Sequence, residues 1–234
     1  MEEFMKKFLK LTTVVVSMVM ALTFVSCANG NTSNNGNENS NEEELNLVGT
    51  YGLSKVEEIN ETSKYESAYT TTMLTSSSLR QYGTQKFIKG KTTTVIESEI
   101  DVTITKTADG YSFNWAKYNI NGVAQDDDAK TNMEEKFTDD YWNRYTAMFA
   151  MTLTTTADGK WSNNNTPASS GTYTVDKANS EVTIKTLISN GETLQEPGII
   201  MEATYSNNGK TLVVMRDDSN EEETDMTTMT FTRK

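Results

Sequence analysis

Ile100-Asp101-Val102-Thr103-Ile104-Thr105-Lys106-Thr107-Ala108-Asp109-Gly110-Tyr111-Ser112-Phe113-Asn114-Trp115 decides the fold class. Ile100, Val102 and Ile104 alternate with Asp101, Thr103 and Thr105, the period of a strand with one dry and one wet face. Ala108-Asp109-Gly110 then supplies residues that suit a tight turn. The alternation recurs at Tyr173 and Val175, Val182 and Ile184, Met201, Ala203 and Tyr205, and Met229 and Phe231. Asn121-Gly122, Asp158-Gly159, Asn190-Gly191 and Asn207-Asn208-Gly209 punctuate the chain with residues that tolerate positive φ. Thr accounts for 37 of the 234 residues, and a β-branched hydroxyl side chain fits a pleated, half-wet surface. These signals predict strands near 48–58, 67–74, 85–89, 92–107, 110–119, 146–156, 170–176, 180–188, 198–206, 210–217 and 225–233. A meander this long must close or pair its edges. The expected fold is all-β, with the antiparallel strands closed into a barrel or paired as a β-sandwich, and the periodicity does not choose between the two.

One stretch leaves the pattern. Thr131-Asn132-Met133-Glu134 resembles a capping box, and Met133, Phe137 and Tyr141 recur at i, i+4 and i+8. A single short helix is expected over about 130–144, with Asp126, Asp127 and Asp128 at its dipole-favoured start.

Composition narrows function. The chain has no His, so it cannot build a Ser-His-Asp or Cys-His centre or a His-ligated metal site. A single Cys excludes an intrachain disulfide and a multi-cysteine metal site. Twenty-one Lys and Arg against 33 Asp and Glu give a net charge of −12, which is unsuited to nucleic acid. The acidic runs Asp126–Asp128, Asp139-Asp140, Asp217-Asp218 and Glu221–Glu223 lack the spacing of a calcium loop and read as solvated turns. No phosphate loop or Gly-x-Ser-x-Gly elbow is present. No enzyme activity, cofactor or metal is expected.

The N-terminus reads as an address. Lys6, Lys7 and Lys10 precede an apolar run from Leu11 to Val25, as in a secretory signal, and Met5 is a plausible alternative initiator to Met1. Phe24-Val25-Ser26-Cys27 resembles a bacterial lipobox, which implies cleavage before Cys27 and lipidation of that residue. From Asn29 to Asn41, seven of 13 residues are Asn, and no apolar residue lies between Ala28 and Leu45. Such a segment cannot bury enough surface to fold and reads as a tether reaching roughly 20–25 Å. Ala28 after the Cys resembles outer-membrane sorting where the envelope has two membranes. The expected organisation is a signal peptide at 1–26, a lipidated Cys and tether at 27–46, and a β-barrel domain at 47–234. Residues 1–26 carry three Lys and two Glu, so the processed chain sits near −13. That charge repels anionic head groups and leaves the lipid at Cys27 as the membrane contact.

Leu47-Val48-Gly49-Thr50-Tyr51 resembles the Gly-x-Trp opening of lipocalin-like bacterial domains, and Met229-Thr230-Phe231-Thr232-Arg233 resembles their last strand. Asp158–Trp161, Ser170–Tyr173 and Asn208–Leu212 resemble the hairpins between. The resemblance implies an antiparallel up-and-down barrel of about 8–11 strands around an apolar cavity, in preference to the alternative β-sandwich, with Tyr51 and Arg233 as a structural pair at its closed end. Tyr111, Phe113, Trp115, Trp142 and Trp161 are the candidate ligand-facing residues. The functional expectation is a lipid-anchored envelope protein holding a small apolar or amphipathic ligand. The alternative is a surface interaction or structural lipoprotein (adhesin, envelope-assembly factor or inhibitor) with a filled core.

Overall fold

The computed structural model describes residues 45–89 and 94–234. The expected signal peptide, Cys27 and nearly all of the expected tether lie outside the described residues.

The strands are β1 (Gly49–Thr62), β2 (Tyr65–Thr75), β3 (Ser78–Lys89), β4 (Thr94–Thr107), β5 (Gly110–Ile120) and β6 (Val123–Ala124), then β7 (Thr152–Thr155), β8 (Lys160–Asn163), β9 (Ser170–Asp176), β10 (Glu181–Ser189), β11 (Glu192–Thr193), β12 (Ile199–Ser206), β13 (Thr211–Asp217) and β14 (Glu223–Arg233). Two helices interrupt them, α1 (Asp127–Glu134) and α2 (Asp139–Phe149). Hydrogen bonding runs in the order β14-β13-β12-β10-β9-β8-β7-β1-β2-β3-β4-β5-β6, with β11 on β10 and a further pairing of β14 with β1. That last pairing closes an eight-strand antiparallel barrel, so the fold is all-β. The turn residues behave as their chemistry requires. Asn121-Gly122 and Asn190-Gly191 both take positive φ (50° and 75°, 49° and 80°) in two-residue hairpin turns.

Three expectations need correction. The single helix is two, because Thr138 turns extended (φ −119°, ψ 168°) between them. The break places Asp139 and Asp140 in the first turn of α2, where the helix dipole favours them, instead of mid-helix. The cap of α1 is Asp126, whose carboxylate accepts from the Ala129 N–H at 2.9 Å, and Thr131 lies inside the helix. The expected strand 146–156 is helix to Phe149 and strand only from Thr152. In addition, β3 begins at Ser78 rather than 85, and β8 forms a short strand of its own.

The chain divides into two compact units. The first, here the Trp161 unit, comprises residues 45–51, Leu153–Leu212 and Arg233–Lys234. Its buried residues include Leu47, Tyr51, Leu153, Trp161, Val182, Ile184, Ala203 and Leu212. Trp161, Gly171 and Thr186 are register partners across β8, β9 and β10, and the Trp161 indole N–H crosses β9 to donate to the Lys185 carbonyl at 3.1 Å. A Cβ at Gly171 would lie 1.9 Å from that same carbonyl oxygen, so only glycine fits there.

The second, the Trp142 unit, comprises Gly52–Thr152 and Val213–Thr232. Its long strands β2 to β5 carry one face that buries Leu79, Ile100, Val102, Ile104 and Tyr118. α1 and α2 cover part of that face. Trp142 and Tyr145 join Leu79, Val102 and Ile104 in one cluster, with Met73, Tyr111, Phe113, Trp115, Phe137 and Met148 packed around it.

Candidate functional site

The five candidate ligand-facing aromatics do not form one group. Trp161 belongs to the Trp161 unit and is buried against Gly171. Tyr111, Phe113, Trp115 and Trp142 do come together, in the Trp142 unit, as the seam between β5 and the two helices. The Phe137 ring meets Tyr111 edge-on at 4.9 Å and Phe113 at 5.6 Å, and Tyr111 lies 5.8 Å from Trp142. Polar tips fasten the seam. The Trp115 indole donates to Glu134 at 2.7 Å, and Asp139 accepts from the Tyr111 hydroxyl and from Lys106 at 3.2 Å. These bonds hold the Asp139 carboxyl below its ordinary range, while burial and the bond to Asp139 push the Tyr111 hydroxyl up to about 12.

Tyr51 and Arg233 meet within the Trp161 unit. The guanidinium lies over the Tyr51 ring, 5.4 Å from its centre, and Nη2 donates to the Tyr51 hydroxyl at 3.0 Å and to the Asn46 carbonyl. The Tyr51 hydroxyl shares its proton between the carbonyls of Leu47 at 2.9 Å and Gly209 at 2.7 Å. A cation on an aromatic face, held by its Nη2 and by the shared Tyr51 hydroxyl, is a structural clasp. Beside it, Leu47, Leu153, Trp161, Val182, Ile184 and Leu212 are among the residues lining a cavity of about 10 Å³, room for about one water.

The Trp142 unit holds a second polar feature that hydrophobic periodicity does not reveal. Asn60, Ser67, Gln85, Ser98 and Ile120 are successive register partners across β1 to β5. Ser67, Gln85 and Ser98 are all buried, and Ser67 Oγ, Gln85 Oε1 and Ser98 Oγ have no hydrogen-bond partner. On one side of this row Tyr65 and Phe87 are in ring contact at 5.2 Å. On the other, Tyr69, Ile100 and Tyr118 are buried, and Glu58 pairs in register with Tyr69. The available signal was the inward phase of β2 to β4, where Ser, Gln and Ser fall on the positions that Tyr69, Ile100 and Val102 share. A search for apolar residues passes over it. Among the described residues, no cluster of three or more acidic, Cys or His side chains is placed to hold a metal.

Glu58 is the titratable member of this region. Burial pushes its carboxyl from 4.5 up to about 8, and the nearby Asp225 carboxylate adds to the push. Between those two values the folded chain keeps a proton that the unfolded chain has released. Stability therefore falls as pH rises from 4.5 to 8, by up to about 1.4 kcal/mol per unit, and the loss is complete above the folded value. Asp225, also raised by burial, tilts the same way. Urea unfolding should show Glu58→Gln matching wild type near pH 4.5, exceeding it at pH 8, and sloping less between. An unchanged slope would show that Glu58 is ionised in the fold.

No protein-family model, no curated protein and no solved structure matches the chain.

Proposed function

We propose that this protein is an envelope lipoprotein, anchored through a lipid on Cys27, that binds a small amphipathic ligand in its barrel domain without catalysing a reaction. The observation that carries the binding reading is the buried, partnerless polar row of the Trp142 unit, set between aromatic side chains. Ligand sites combine an apolar lining with a few polar groups that orient the guest, and packed cores avoid unpaired polar atoms. The lipobox-like residues before Cys27 and the Asn-rich tether after it support the anchor. A second reading, a surface interaction protein with a filled core, draws support from the Trp161 unit, where the cavity beside Tyr51 has room for about one water.

One experiment separates these. The protein is extracted from host membranes in mild detergent and examined by native mass spectrometry. The binding reading expects a chain starting at Cys27, carrying covalent lipid and a non-covalent adduct. A bare chain favours the filled-core reading. Cys27→Ser is expected to abolish incorporation of labelled fatty acid, and undiminished labelling overturns the anchor.

A further inference from the structure

We infer that the Ser67–Gln85–Ser98 row is the recognition site for the ligand's polar group, and that this group is neutral and hydroxyl-bearing. The inference rests on the binding reading above and specifies it. Cross-strand register sets the three side chains directly beside one another on β2, β3 and β4. They are 5%, 0% and 3% exposed, and each presents a polar atom without a partner. Gln85 is held in orientation, since its Nε2 donates to the Tyr65 hydroxyl at 2.7 Å and leaves Oε1 as the free acceptor. The row thus offers one fixed acceptor between two hydroxyls that each donate or accept. Three such atoms on one buried row cost stability that an apolar row would not. Local rules broken in this way concentrate at functional sites.

The surroundings exclude an anion. Glu58 lies one inward position along β1, Asp225 is near enough to raise its proton affinity, and Glu223 accepts from Asn60, the register partner of Ser67, at 3.1 Å. Lys86 alternates to the opposite face and pairs with Glu66 at 3.4 Å. A carboxylate or phosphate would therefore enter near the acids Glu223 and Asp225, beside a Glu58 that burial keeps uncharged, with no cation in the row, which is costly. An ammonium only donates and would leave both Ser protons unused, whereas hydroxyls match donors and acceptors together. Tyr65 and Phe87 on one flank, and Tyr69, Ile100 and Tyr118 on the other, suit either the C–H faces of a sugar or an acyl chain.

The test uses the processed, lipid-bearing protein in phosphatidylcholine vesicles, stripped of bound ligand, with binding read from Trp fluorescence. The probes are 1-monooleoylglycerol, glucose, oleate and oleylamine. Saturable binding of monooleoylglycerol or glucose is expected, and which of the two binds tells a lipid head group from a free sugar. Loss of two hydrogen bonds in Ser67→Ala/Ser98→Ala should weaken that binding about tenfold. The thermal midpoint should meanwhile stay at or above wild type, because the removed hydroxyls have no partner in the fold. Gln85→Met serves as an independent variant with the same expected loss of binding. Wild-type binding by both variants overturns the inference, as does tighter binding of oleate or oleylamine. In that last case the binding reading survives and only the ligand class fails. Binding of none of the four overturns both.

Discussion

Tyr51→Ala is expected to lower the unfolding free energy by about 3–5 kcal/mol, the range for truncating a buried aromatic. Tyr51 is fully buried, and three partners converge on it: the Arg233 guanidinium and the carbonyls of Leu47 and Gly209. Removing the ring takes away the surface that Arg233 covers and removes a donor from two carbonyls, of which Leu47 keeps the Thr155 hydroxyl and Gly209 loses its side-chain partner. Tyr51→Phe separates these effects. It keeps the ring and should cost about 1–3 kcal/mol, the penalty for leaving buried polar groups unpaired. For a domain of this size each kcal/mol lowers the melting temperature by about 2–4 °C. The alanine variant should therefore melt roughly 6–20 °C earlier. The measurement is urea unfolding at pH 6, with the m-value unchanged. A loss under about 1 kcal/mol for Tyr51→Ala would mean that the clasp with Arg233 does not hold the Trp161 unit together.

Trp142→Ala should cost a similar amount, about 3–5 kcal/mol, in the Trp142 unit, but its effect should be local first. Trp142, together with Tyr145, brings α2 into the cluster of Leu79, Val102 and Ile104. An isolated helix of 11 residues is marginal in water, so α2 depends on this packing. Amide exchange in Asp139–Phe149 should accelerate well before the strands β2 to β4 open, since helix and sheet then become separate cooperative units. Equal acceleration in helix and strands would show instead that the unit opens only as a whole.

How much of this was legible depends on the distance over which each cause acts. Alternation at Ile100, Val102 and Ile104 names a strand because residues two apart share a face, and the structure buries all three. The Asn-Gly turns were legible because positive φ is a property of the residues themselves. The single predicted helix failed because its break serves distant partners. Phe137 docks on Tyr111 and Phe113, while Asp139 is caught by Tyr111 and Lys106. The early part of β3 was missed because its inward positions run Leu79, Gln81, Gly83, Gln85, and polar residues there erase the hydrophobic period. Gly83 is itself a tertiary choice, since a Cβ would lie 2.1 Å from the Ala68 carbonyl and 2.6 Å from the Tyr69 ring.

Strand identity, turn position, net charge and the absence of His follow from neighbours along the chain or from simple counts, and the all-β class was read from the strands and turns, whereas the choice of a closed barrel over a sandwich came from the resemblance. Tyr51 and Arg233, 182 residues apart, came within view of the sequence only through a resemblance. The polar row did not come into view at all. Ser67, Gln85 and Ser98 are ordinary polar residues until register aligns them and burial strips their water away. Register is a relation between strands, and desolvation is a property of the packed interior. Neither exists in the chain before it folds.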